Sequence, residues 1–318
     1  MPTAGSILRV RGLCKSYGPT RALDGVSFDV RAGEFFGYLG PNGAGKTTTI
    51  NILGGLHPRD GGEVAVCGSD IARDPVAVKR QIGVVPEESN LYPELTCRRN
   101  LEYLGELYGL SRAARGRRAE ELLAAFDLSG RAKAPFRALS RGLKRRLTVA
   151  AALVHSPRVV FLDEPTAGLD VPSARALRDL LRELNRDGTT VFLTTHNLAE
   201  AETLCDRVLI LVEGRVVTEG TAAEIRQRVA EARTVCVVFS GPVEARSLRE
   251  ACPSVRSAGL ADGTWRLEAA DTHAAVAEVV AFADRQGVRV EQIDSTAASL
   301  EEAFMALLTG DKGEEDEP

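Results

Sequence analysis

The run Gly40-Pro-Asn-Gly-Ala-Gly-Lys46-Thr47 fits the spacing G-x-x-x-x-G-K-[ST]. Glycines at Gly40, Gly43 and Gly45 let the backbone curl around Pro41, Asn42 and Ala44 until N–H groups point at phosphate oxygens, where a Cβ would obstruct them. Lys46 then supplies a mobile charge for the β- and γ-phosphates, the Thr47 hydroxyl can ligate Mg²⁺, and Thr48 completes the loop contacts. A helix starting near Lys46 adds its positive end to the anion site. Two carboxylates, Asp163 and Glu164, follow the apolar run Val159–Leu162, and His196 follows Thr190–Thr195. Asp163 is placed to hold Mg²⁺, Glu164 to accept a proton from an attacking water, and His196 to contact the γ-phosphate and fix Glu164 and the water. An acidic turn or a lone histidine is usually structural. Their common placement at strand ends, together with the phosphate loop, favours chemistry on ATP.

Each group needs an element to hold it. Glu34–Leu39 reads as a buried strand entering the loop, and Thr47–Gly55 as a short helix leaving it. The continuous apolar run before Asp163 predicts a parallel strand buried on both faces, whose carboxyl end carries a ligand site, and Thr190–Thr195 reads as another strand with His196 at its carboxyl end. Ser140, in Leu139-Ser140-Arg141-Gly142, precedes an apolar-periodic segment from Leu143 to Val154. It reads as a helix N-cap with Gly142 in the first turn. That is a second phosphate-binding helix end, and it suggests a second molecule's nucleotide.

These motifs, in this order, resemble the nucleotide-binding subunit of an ATP-binding cassette (ABC) transporter over roughly residues 7 to 225. The resemblance implies an α/β fold: a P-loop NTPase core with a mixed sheet, a helical subdomain, and a small C-terminal α/β domain. It implies that Tyr17 stacks on adenine and that Asp170, in Ala167-Gly-Leu-Asp170, belongs to a dimer-contact loop. It implies a head-to-tail homodimer, or a pair with another ABC subunit, in which Ser140 and Gly142 reach the partner's ATP. Two positions depart from the family pattern. Arg141 and Leu143 replace the usual glycine and glutamine of the signature. Glu87, followed by Glu88, stands where a glutamine usually touches Mg²⁺ and senses the membrane subunit. The acidic version, with Leu91-Tyr-Pro-Glu-Leu-Thr96 after it, resembles the branch of multidrug, antibiotic, lipid and polysaccharide exporters. Leu91, Tyr92 and Pro93 are candidates for contact with an integral membrane permease.

Composition sets limits. With 318 residues, the chain is long enough for one large core and a small second domain. A net charge of −4 leaves no strong field for nucleic acid, and no nucleic-acid partner is expected. The six cysteines are scattered without a C-x-x-C pair, which reads as free thiols in a reducing compartment. No apolar run approaches the ~18 residues that span a bilayer, and no signal-peptide core opens the chain. The expectation is a cytoplasmic protein, peripheral on the inner face of the membrane through its permease.

The expected organisation is an ATPase domain over residues 1–228, with a helical subdomain at about 90–155 capped by Thr96. A C-terminal α/β accessory domain follows at 229–310, then a disordered acidic tail at 311–318. Strands are expected at 234–240, 264–268 and 288–293, and helices at 273–286 and 300–308. The arginines from Arg112 to Arg118 read as a solvated helix face. The function expected is an ATPase that energises export. The rival is a soluble ABC ATPase acting on ribosomes or DNA. Such proteins often carry two cassettes or a long coiled coil, and this chain has one phosphate loop and no sustained heptads between Thr47 and Ser140. A small-molecule kinase would leave the Ser140 signature unexplained.

Overall fold

Two twelve-residue antiparallel strands, β1 (Ser6–Tyr17) and β2 (Thr20–Arg31), open the chain. Register shifts in the pairing let each strand continue through a glycine in the left-handed region, Gly12 at φ 58° and Gly25 at φ 70°. In this computed structural model the described residues are 5–229, 233–261, 263–269, 271–296 and 304. They fall into two units, Met1–Glu219 and Gly220–Pro318.

The first unit continues with β3 (Phe35–Leu39), α1 (Lys46–Leu53), β4 (Gly61–Val66), β5 (Ser69–Asp70), α2 (Pro75–Lys79) and β6 (Ile82–Val85). The helical region follows as α3 (Cys97–Leu107), α4 (Arg112–Ala125) and α5 (Arg141–Ala152). Then come β7 (Val159–Asp163), α6 (Val171–Arg186), β8 (Thr190–Thr195), α7 (Leu198–Leu204), β9 (Arg207–Val212) and β10 (Arg215–Gly220). One sheet has the order β2-β1-β4-β5 and the other β10-β9-β3-β8-β7-β6, whose inner neighbours from β9 to β6 are all parallel. The hairpin from β9 to β10 turns on Glu213 and Gly214, both at positive φ.

The side-chain alternation of a strand explains why β3, β7 and β8 are buried along their whole length, with apolar residues through their middles. Phe36, Tyr38, Phe161 and Phe192 point into one core with the aromatic Phe28, while Phe35, Val160, Leu162, Val191 and Leu193 point into another. Both faces are covered, so no position in these strands can be polar without a partner. The sheet's floor is therefore rigid, and the groups at its carboxyl ends are held by it.

The helical subdomain expected at about 90–155 is broken after Leu107, and α4 begins only where Ser111 caps it by accepting from the Ala114 N–H. Thr96 caps α3 by accepting from the Arg99 N–H at 3.2 Å. The arginine cluster on α4 is only partly a solvated face. Arg115 pairs with Glu106 of α3 at 3.0 Å, and Arg118 donates to the Leu153 carbonyl at 3.1 Å. Leu91 is buried in the core of this region, whereas Tyr92 is half exposed and meets Tyr103 edge-on. Leu91 thus takes the internal-packing role and is withdrawn as a permease contact.

The second unit comprises α8 (Ala222–Val229), β11 (Arg233–Phe239), α9 (Ala245–Ala251), β12 (Val255–Ala261), β13 (Thr264–Ala269), α10 (Thr272–Gln286) and β14 (Val290–Thr296). From β11 onward this is a βαββαβ succession in an antiparallel sheet of order β12-β13-β11-β14, the split-βαβ arrangement. Its core joins Val235, Val237, Trp265 and Leu267 to Leu248, Val279 and Phe282. Apart from Phe304, the expected helix at 300–308 and the tail at 311–318 lie outside the described residues. Among the described residues no helix is long and apolar enough to cross a membrane.

Candidate functional site

The loop between β3 and α1 carries Gly43 at φ 83° and Gly45 at φ 105°, conformations that L side chains rarely adopt. Gly40 is required for a different reason: a Cβ there would stand 2.3 Å from the Leu211 carbonyl oxygen of β9. Lys46 opens α1 and is buried. Its Nζ donates to the Gly40 and Pro41 carbonyls at 2.6 and 3.1 Å and lies 3.4 Å from Glu164 Oε1.

Glu164 follows the last residue of β7 and takes the left-handed conformation, φ 44°, a strained choice for a non-glycine residue. Its N–H donates to the Thr194 carbonyl at 3.1 Å, which fixes the turn against β8. Its Oε2 lies 3.0 Å from His196 Nδ1. One carboxylate therefore sits between the phosphate-loop ammonium and the imidazole. Asp163 is buried, and its Oδ1 accepts from Thr194 Oγ1 at 2.5 Å. Behind His196, buried Glu200 accepts from Thr195 Oγ1 at 3.1 Å, and burial pushes its carboxyl up from the ordinary range.

A cavity of about 280 Å³ is lined by Pro41, Asn42, Gly43, Gly45, Lys46, Thr47, Thr48, Glu87, Glu164 and His196, with Ala22 and Ala167. A second cavity, about 520 Å³, shares Thr47 and Glu87 with the first and adds Asp163. It extends past Pro86, Leu104 and Tyr108, between the core sheet and the helical region. Thr47 and Glu87 line both cavities, and Asp163 joins them in lining the second. Two carboxylates and a hydroxyl, with phosphate oxygens and water, are the hard donor set that suits Mg²⁺.

Other sequence-named residues do not line these cavities. Gly40 and Ala44 support the loop from beneath, and Ala44 is buried. Tyr17 is exposed, its hydroxyl 2.9 Å from His57 Nδ1 and its ring 5.4 Å from the Lys15 ammonium. Ser140 caps α5, its Oγ accepting from the Leu143 N–H at 3.4 Å. A Cβ on Gly142 would meet Ser173 Oγ at 2.6 Å, so the signature packs against the start of α6. Asp170 caps α6 by accepting from the Ser173 N–H at 2.7 Å, which holds its carboxyl below the ordinary range. Arg141 does not project freely: its guanidinium packs on Gly168, where a Cβ would come within 2.3 Å of it.

Sequence reasoning missed Thr194 as the partner of Asp163 and missed Arg145 entirely. Arg145 is buried on α5, and burial pushes its pKa down to about 10 against the opposing pull of Asp163, Glu87 and Glu164. The available signal was a charged residue on the inner face of an amphipathic helix, one turn before Val149.

Three comparisons bear on this site. The family profile described as ABC transporter matches residues 23–167. The daunorubicin resistance ATP-binding protein DrrA3 of Streptomyces coeruleorubidus is 39% identical over 312 residues, 97% of each chain. Nod factor export ATP-binding protein I of Ralstonia nicotianae is 44% identical over 226 residues, 70% of each. Among solved structures, a dimeric post-hydrolysis state of an ATP-binding cassette bound to ADP and Pi superposes with a TM-score of 0.62. It is 31% identical and covers 67% of this chain and 98% of that one.

Proposed function

This chain belongs to the ABC transporter family of ATP-binding, ATP-hydrolysing subunits, and from that premise we propose that it drives export of a substrate through a separate integral membrane permease. The observation that carries the catalytic part is the Glu164 carboxylate held 3.4 Å from Lys46 and 3.0 Å from His196 at the phosphate-loop cavity. The export part is supported by the match to Nod factor export ATP-binding protein I, and the match to the daunorubicin resistance protein DrrA3 runs through both units of the chain.

In this reading the N–H groups of Gly43, Gly45, Lys46, Thr47 and Thr48 receive the β- and γ-phosphates, and Lys46 exchanges its carbonyl partners for phosphate oxygens. Thr47, with Asp163 and Glu87, would hold Mg²⁺, which when bound would supply positive charge against the phosphates. Glu164 takes the proton of the attacking water, while His196 Nδ1 keeps the carboxylate aimed and its exposed ring faces the γ-phosphate side. Tyr17 provides the face on which the adenine stacks. The protein would act as a homodimer or with another ABC subunit, Ser140, Gly142 and Asp170 of each copy completing the other's site. It would stand at the cytoplasmic face of the membrane, with the cavity that runs past Pro86, Leu104 and Tyr108 receiving the permease.

Co-purification from mild-detergent extracts of native membranes tests the reading. A polytopic membrane protein at near-equal stoichiometry is the expected result. Ribosomal or DNA-bound partners, with the chain absent from membranes, would overturn the export assignment and leave the ATPase site standing.

A further inference from the structure

Arg145 uses all three guanidinium nitrogens on main-chain carbonyls. Nε donates to Pro165 at 2.9 Å, Nη2 to Asp163 at 2.6 Å, and Nη1 to Glu87 at 3.0 Å and to Pro86. Those four acceptors lie on two segments far apart in sequence, the loop after β6 and the end of β7. Arg145 itself belongs to a third, the helix that starts at the signature. Carbonyls just past the ends of parallel strands have left the sheet ladder and need donors from elsewhere. Burying a guanidinium to supply them carries a desolvation cost of several kcal/mol, and a leucine of similar bulk would fill the same space without it. The planar fork, by contrast, fixes the spacing of its acceptors.

We propose that Arg145 is a positioning residue for phosphoryl transfer, a clamp that sets the separation of Glu87 from Asp163 and Glu164 and makes both segments follow α5. The proposal rests on the reading of those carboxylates as the Mg²⁺ and water side of the site. Motion of the helical region then reaches the hydrolytic carboxylates through one side chain. Lysine cannot replace it, because a single ammonium reaches one of the two segments and leaves carbonyls on the other without a donor.

The test is Arg145→Lys and Arg145→Gln in the full-length chain, with the ATPase rate normalised to folded protein. A displacement of the carboxylates by about 1 Å predicts a kcat lower by roughly 10- to 100-fold. The KM for ATP should stay within about threefold, because the phosphate loop is untouched, and half-saturation should move to higher Mg²⁺. Arg145→Lys, which keeps one segment anchored, should retain more activity than Arg145→Gln. A lower melting temperature with kcat and Mg²⁺ half-saturation both within about a factor of two of the parent would reduce Arg145 to a stability role and overturn the proposal. Should neither variant fold, amide exchange in the unaltered protein decides. Amides at 87–89 and at 164, 166 and 167 should open together, with a shared denaturant dependence, and independent opening would overturn the clamp. Glu164→Gln serves as the control: if it hydrolyses ATP normally, the catalytic reading fails, whereas a silent Arg145 beside a dead Glu164→Gln sinks only the clamp.

Discussion

Replacing Glu164 by Gln isolates one atom's chemistry from everything around it. Gln conserves the volume and the left-handed backbone at φ 44°, so the turn into the Thr194 carbonyl is unchanged. The side chain is 11% exposed, so water cannot readily substitute for the lost carboxylate. A general base contributes about 10²–10⁴ in rate, and at 1.36 kcal/mol per decade its loss raises the barrier by roughly 2.7–5.4 kcal/mol. The effect on binding has a different sign. Glu164 lies 3.4 Å from Lys46 Nζ, where a unit-charge pair at an effective dielectric of about 20 attracts by about 5 kcal/mol before desolvation is counted. The γ-phosphate competes for that ammonium, so removing the carboxylate frees Lys46 and takes away a negative neighbour. ATP should therefore bind as tightly as in the parent or more tightly. Single-turnover phosphate release measures the first quantity, and equilibrium titration with Mg·ATP measures the second. Hydrolysis within a factor of two of the parent would refute Glu164 as base. Binding weakened more than tenfold would show that the substitution had disturbed the phosphate loop, and the lost rate could then not be assigned to proton transfer.

Gly40→Ala pushes a methyl to 2.3 Å from the Leu211 carbonyl of β9, which cannot swing away; a cost of about 1–3 kcal/mol is expected. At roughly 2–4 °C per kcal/mol this lowers the calorimetric midpoint visibly, and an unchanged midpoint refutes the close approach. Ser140→Ala removes the cap of α5, costing about 1 kcal/mol, and should reduce ATPase activity at dimer-forming concentrations while each chain keeps its own nucleotide affinity; affinity lost in parallel would refute a role in trans. The His155 imidazole stacks on Tyr108, and burial pushes its pKa below the ordinary value, with nearby Arg118 adding to the effect against the Ile82 carbonyl. The unfolded chain therefore binds this proton first as pH falls below about 6.5, so stability in urea should drop from pH 7 toward 5.5. His155→Gln should flatten that slope, and a profile of equal steepness would refute the assignment.

What could be read from the sequence was whatever depends on spacing along one segment. The phosphate loop is continuous, and its glycines, lysine and threonine lie in one turn, so Lys46 and Thr47 were named together. The apolar run Val159–Leu162 and the β-branched, apolar-centred segment Thr190–Thr195 read as strands, which β7 and β8 are, with their side chains divided between two cores. Contacts between segments were not readable. Thr194 meets Asp163 only because β8 lies beside β7 in parallel register, a fact of sheet order. Arg145 meets Pro86 and Pro165 only because α5 crosses the ends of both β6 and β7. In the second unit, β12 was missed because Arg-Ser-Ala-Gly within it lacks β-branched residues, and α9 because seven residues are too few to show a helical period. The arginines of α4 read as solvated because no local partner explains them, yet Arg115 and Arg118 are tied to α3 and to the residue after α5.

The charge around the phosphate cavity bears on the proposed need for a metal and a second copy of the chain. Lys46 lines it as a cation, but Glu87 and Glu164 line it too, and Asp163 stands where Thr47 and Glu87 face the neighbouring cavity. A triphosphate entering this setting meets more carboxylate than ammonium, so the loop amides and Lys46 must be supplemented before the γ-phosphate can approach Glu164. In the proposed function Thr47, Asp163 and Glu87 would hold a divalent cation that supplies that charge. On the same proposal, a partner's helix end at Ser140 would add hydrogen-bond donors for the phosphates. The replacement of the family's glutamine by Glu87 sharpens the requirement, because a carboxylate there binds Mg²⁺ more strongly and repels the bare phosphate more. Under the proposed function hydrolysis would then be coupled to metal and to assembly by electrostatics, and Arg145, which bonds to the Glu87 and Asp163 main chains, would set how strongly that coupling is felt.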